Sequence, residues 1–228
     1  DGRGAPTGPN GMVHGAFRPS DDAMDLPLNV PGNLALAAAL DALAPLLRAL
    51  GDDAHAGAAL GLAATIRAGV ERDGTVVRGD ETIWAYEVDG LGGQVLMDDA
   101  NAPSLLALPL FGASDPADGR YLATRRWILS DANPWFARGR AGEGIGSPHT
   151  GPGRVWPIAI AVRGLTATGD AERLAAIRLL GASHAGTFLA HESFDVEDPA
   201  RFSRAWFAWA NGLVGELLER AALDGLLA

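Results

Sequence analysis

No cysteine and no lysine occur in this chain, and each absence removes whole classes of chemistry. Without cysteine there is no disulfide, thiolate metal site or thiol nucleophile, and the compartment is left open. Without lysine there is no Schiff-base step and no lysine-anchored pyridoxal cofactor; all 18 basic residues are arginines. Positive charge is in deficit as well. The net charge of −10 argues against a nucleic-acid partner, whose phosphates attract basic surfaces. Glycines at 90, 92 and 93 form no G-x-G-x-x-G and no Gly-Lys-Ser/Thr follows them, so a phosphate-cradling loop is unsupported. No run approaches the ~20 apolar residues that span a bilayer, and no charged-then-apolar leader opens the chain, which starts at Asp1. No membrane partner is expected, and the cytoplasm is the default expectation for the compartment.

Apolar residues, by contrast, make up 48% of the chain, enough for the core of one large domain or two small ones at this length. Residues 1–33 are punctuated by Gly, Pro and Asn and predict irregular structure. Asn33 to Leu50 predicts a helix capped by Asn33 and stopped by Gly51; Asp53 to Arg72 predicts its antiparallel partner. Gly74 to Val88 turns β-branched and aromatic and predicts short strands. Ser104–Leu110, residues 116–131, Val155–Thr168 and Ala171–His184 predict further helices. Between residues 130 and 154 lies a long loop dense in Gly, Pro and reactive side chains. The last helix is read through Trp206, Phe207 and Trp209, with the two tryptophans forming one aromatic surface. About seven helices result, arranged as helical hairpins with polar motifs in the loops: an all-α fold.

Four clusters carry chemistry: Arg18, Ser20, Asp21 and Asp22; Asp98, Asp99 and Asn101; Glu143 to His149; and His191, Glu192 and Ser193. The aspartate pairs are read either as helix N-caps or as acid/base groups. Carboxylates without a nucleophilic Ser motif, His/Cys cluster or phosphate loop point to general acid/base hydrolysis, and rings beside them suit sugar faces. A zinc helix would need His at position 195, which is Asp, and no EF-hand alternation follows the aspartate pairs. No metal and no cofactor are expected.

The motifs FRPSDDA (17–23), WAYEVDGLGGQVLMDDANAPSLLALP (84–109), NPWF with GEGIGSPHT (133–150) and HESF with FSRAWFAWANGLVGEL (191–217) together resemble glycoside hydrolase family 125. That resemblance implies an (α/α)6 toroid and an exo-acting α-1,6-mannosidase that inverts the anomeric centre without a metal. It implies Glu192 as general base and Asp21 or Asp22 as general acid. Arg18, Ser20, Asp98, Asp99, Asn101, Glu143, His149, His191 and Trp206 are expected to bind a mannose-containing oligosaccharide. With about seven helices in hand, the toroid is expected to be partial, and residues 1–228 to be a single catalytic domain lacking its N-terminal part. Another (α/α)6 α-glycosidase, or a non-catalytic carbohydrate-binding remnant, is the alternative.

Overall fold

A computed structural model describes residues 4–227 and contains six α-helices and ten short strands among them. The strands qualify the all-α expectation. They also organise the loops that the sequence left without structure. Two compact units are distinguishable: Asp1–Met97 with Pro103–Thr124, and Asp98–Ala102 with Arg125–Ala228.

In the first unit, β1 (Leu28–Asn29) leads directly into α1 (Val30–Ala49). Asn29, not Asn33, caps the helix, its side chain accepting from the Gly32 amide at 2.8 Å. The breaker-rich Val-Pro-Gly is inside the first turn, where a missing proline N–H costs nothing. Asn33 instead ties the irregular N-terminal segment to the helix, accepting from the Val13 amide and donating to the Val13 carbonyl. A three-residue turn through Gly51, at φ 79°, reverses the chain into α2 (Asp53–Asp73). Buried Ala37, Ala38 and Ala44 of α1 and Ala56, Ala59 and Ala63 of α2 give this hairpin a small-residue seam. At 20 residues, with Asp41 and Arg48 its only charges, α1 is long and apolar enough to cross a bilayer by length and composition, which corrects the expectation that no such run exists.

Strands β2 (Thr75–Arg78) and β3 (Glu81–Trp84) form a hairpin, and β4 (Glu87–Val88) pairs antiparallel with both β1 and β5 (Gln94–Val95). The helix expected at Ser104–Leu110 is instead a turn followed by a short 3-10 helix, Leu108–Phe111, closed by Gly112 at φ 64°. Helix α3 (Gly119–Ile128) is the last element to begin in this unit. Its Tyr121 hydroxyl donates to the Leu106 carbonyl in the core.

In the second unit, the expected long loop is largely structured. It holds a hairpin of β6 (Phe136–Gly139) and β7 (Gly142–Ile145), a 3-10 turn Pro148–Thr150, and β8 (Arg154–Val155). Helices α4 (Pro157–Leu165) and α5 (Asp170–Ser183) form the second helical hairpin. Helix α4 is buried nearly all round. Gly164 permits its close approach to α6 (Ala208–Leu223) and to α5: a Cβ there would meet Leu217 of α6 at 2.9 Å and Ala176 of α5 at 3.0 Å. Strands β9 (Ser193–Asp195) and β10 (Phe202–Ser203) complete a small sheet with β8. The final helix therefore starts later than expected. Trp206 lies before it, outside any helix or strand, so Trp206 and Trp209 are not neighbours on one helix face.

Candidate active site

In the first unit, Phe17 and Ala23 form an isolated bridge that closes a tight turn carrying Ser20, Asp21 and Asp22. The Arg18 amide donates to the Asp22 carbonyl at 2.8 Å, and the Asp21 amide to the Arg18 carbonyl at 3.0 Å. Asp21 sits at φ 66°, a left-handed conformation that Asp tolerates better than most residues, and its side chain is exposed. Ser20 Oγ donates to Asp22 Oδ2 at 3.0 Å. No helix follows, which removes the capping reading of this aspartate pair.

Arg18 is turned inward. Its Nε and Nη2 donate to the two oxygens of Glu87 at 2.5 and 3.1 Å, and Nη2 also donates to Asp25 at 2.8 Å. Burial alone would push the guanidinium down, but Glu87 and then Asp25 outweigh it and raise Arg18 above its ordinary value. Glu87, fully buried on β4, went unnoticed in the sequence. Its one visible signal was a lone carboxylate among the apolar residues of a short strand.

In the second unit, Asp98 and Asp99 are both fully buried and Asn101 nearly so. Asp99 Oδ1 accepts from the Asn101 amide at 3.1 Å and from its Nδ2 at 3.4 Å, while Oδ2 accepts from Ser147 Oγ at 3.1 Å. The Asp98 amide donates to Asn133, whose side chain also donates to the Ile128 carbonyl and so fixes this loop to the end of α3. Asn101 Oδ1 is buried without a hydrogen-bond partner among the described residues. A buried acceptor left open is costly unless something fills it, and a sugar hydroxyl has the right donor.

From Ser147 a contiguous path runs to Glu192. Ser147 Oγ accepts from the His149 amide, and the His149 ring stands edge-on to Trp156 at 6.1 Å. The Trp156 indole donates to Thr150 at 2.8 Å and packs edge-on against Phe207 at 5.8 Å. Arg204 lies over Phe207, and its Nε reaches Glu192 Oε1 at 3.1 Å. The structure thus brings Asp99, Asn101, His149 and Glu192 into one neighbourhood of side chains. Ser147, Trp156 and Arg204, which link them, were not singled out by sequence, and Phe207 was read only as part of the last helix. Trp206 is 60% exposed just beyond.

Two expected ligands of the sugar are otherwise engaged. His191 is fully buried, stacked on Phe202 at 3.8 Å, with its nitrogens facing the Ala205 and His184 carbonyls. Glu143, on the β6–β7 hairpin, is held by Arg138 at 2.8 Å and Arg163 at 3.3 Å. Burial would raise its carboxyl, but these two arginines hold it below its ordinary value. No three of His, Asp and Glu converge on a cation position among the described residues.

Buried carboxylates, an open amide and aromatic rings in the loops between helices are groups of the kind that glycoside hydrolases use. The particular family is equally plain: over residues 1–219 the sequence matches the metal-independent α-mannosidases of glycoside hydrolase family 125, and the chain belongs to that family. It is 42% identical over 220 residues to the meiotically up-regulated gene 157 protein of Schizosaccharomyces pombe, covering 95% of this chain and 43% of that protein. It is also similar to a Streptococcus pneumoniae metal-independent α-mannosidase solved with α-1,6-mannobiose, with 39% identity and a TM-score of 0.93 over 98% of this chain and 52% of that one. A bacterial glucoamylase complexed with acarbose shares the fold at 14% identity, with a TM-score of 0.67 over 86% of this chain and 34% of that one. The chain spans about half the length of the relatives it matches.

Proposed function

We propose that this chain carries the catalytic portion of an exo-acting enzyme that removes terminal α-1,6-linked mannose with inversion and without a metal. What supports the substrate most is the likeness, at 39% identity and a TM-score of 0.93, to a mannosidase solved with α-1,6-mannobiose. In this reading residues 1–228 act as one catalytic domain, a partial (α/α)6 toroid, and the additional length of the relatives supplies further hairpins.

Glu192 is the general base. It takes a proton from the water that attacks the anomeric carbon, while Asp21 or Asp22 protonates the departing oxygen. Asp98, Asp99, Asn101, Ser20 and His149 bind the terminal mannose, and the exposed ring of Trp206 offers a face to the sugar beyond it. Arg18, Glu143 and His191 hold the frame, because their polar atoms are already committed.

The test is mannose release from α-1,6-mannobiose, with chelator present, by this chain and by the chain extended to the length of its relatives. Cleavage insensitive to chelator is expected. Binding without cleavage by the extended form would favour a carbohydrate-binding role instead, and cleavage of a different α-linked sugar in preference would reassign the substrate.

A further inference from the structure

We infer that Glu87 is a positioning residue for the acid step: its buried carboxylate clamps the turn that carries Asp21 and Asp22, and so sets where the proton donor stands. The inference rests on the proposed role of that aspartate pair. Glu87 is fully buried, and four donors converge on its carboxylate. Two come from Arg18, before the aspartates; the others are the amides of Asp25 and Leu26, after them, at 3.0 and 3.1 Å. One side chain therefore holds both arms of the loop from Arg18 to Leu26, whose tip is Asp21 and Asp22.

The clamp reaches the tip through the backbone. Arg18, gripped by Glu87, gives its own amide to Asp22 and its own carbonyl to Asp21. Asp21 is meanwhile at φ 66°, a left-handed conformation less favourable than the ordinary ones even for Asp, which the bonds of the turn help to hold. Glu87 itself is fixed from below, since Asn29↔Glu87 and Glu87↔Val95 pair across β1, β4 and β5. The chain of constraint is thus sheet, carboxylate, guanidinium, turn and acid. A buried ion pair is costly to assemble, and here it ties down a loop rather than filling a core.

The experiment compares Glu87→Asp, which keeps the charge but is one methylene too short to hold both arms, with wild type on two substrates. On α-1,6-mannobiose, whose leaving group needs a proton, kcat should fall about 100-fold with KM nearly unchanged, the scale of a lost general acid. On 2,4-dinitrophenyl α-mannoside, whose leaving group needs none, the loss should stay within about fivefold. Arg18→Lys should show the same split and decides the matter if Glu87→Asp fails to fold. Equal losses on both substrates, or none, would overturn the inference. Independently of turnover, amide exchange at Arg18 and Asp21 should quicken at least about tenfold in Glu87→Asp while α1 and α2 are unmoved; unchanged exchange would also overturn it. Asp21→Asn and Asp22→Asn on the same substrate pair separate the two ideas: if neither shows the split, the acid assignment itself has failed.

Discussion

Glu192 is held twice by Arg204: its carboxylate forms an ion pair with Nε at 3.1 Å, and its amide donates to the Arg204 carbonyl at 3.4 Å. Arg204 adopts φ 44°, unusual for a long side chain, and its guanidinium lies over Phe207. The carboxylate is thus nearly buried yet fixed in direction, as a base that must aim at one water requires. Glu192→Gln is expected to lower turnover by at least about 10²-fold while leaving mannobiose affinity within a few-fold, since the amide keeps the shape but accepts no proton. Calorimetric titration beside the rate assay reads both. A loss of affinity as large as the loss of rate would make Glu192 a recognition residue.

Stereochemistry tests the pairing of roles. An inverting site holds its two carboxyls about 6.5–9.5 Å apart to admit water, and a retaining one about 5–5.5 Å. Proton NMR of the first product should show β-mannose before mutarotation. An initial α-anomer would remove the base role from Glu192.

Trp156 is the packing centre of the aromatic path, 2% exposed and bonded through its indole to Thr150. Trp156→Ala is expected to cost about 3–5 kcal/mol by urea denaturation, as large core aromatics do. Trp156→Phe, which keeps a ring but loses the hydrogen bond, should cost less. A cost below about 1 kcal/mol for the alanine variant would show that the rings are held without it.

Acid should weaken the second unit through Glu172. Burial would raise its carboxyl, but Arg163 and Arg125 outweigh it and hold the group below its ordinary value of 4.5. The folded state therefore binds this proton less readily than the unfolded chain. The resulting stability is present above about pH 4.5 and is lost as pH falls through the depressed value. Glu172→Gln should flatten the fall in unfolding midpoint between about pH 5 and pH 3. An unchanged slope would assign the acid sensitivity to other carboxyls.

The helical frame was legible because α2 and α5 announce themselves locally, through Asp52 ahead of an alanine-rich run and Gly169-Asp170 ahead of another. Boundaries failed where pairing overrode local signals. Asn29 caps α1 because β1 is held by β4, and Trp206 stays outside α6 even though it continues an apolar pattern. Site residues were legible as residue types but not as engagements. Arg18 and Glu143 carry the charge of sugar ligands, yet partners 69 and 20 positions away take up that charge. Ser147, inside the Glu143–His149 cluster, drew no role of its own for the complementary reason: a serine in a glycine-rich stretch becomes informative only when Asp99, 48 positions earlier, arrives beside it.

The small sheet behind Glu192 also bears on how the gene can drift. His191 and Ser193 face one way, stacked on Phe202 and bonded to Ser203, and Glu192 between them faces the other. Deleting or inserting one codon here would exchange the parity of the chain, turning the carboxylate to the face that His191 and Ser193 occupy and presenting a serine or an imidazole in its place. Length variation among descendants should therefore collect in outer turns, such as the one after β2, and be purged from the few codons around 192, even where every individual side chain nearby is free to change.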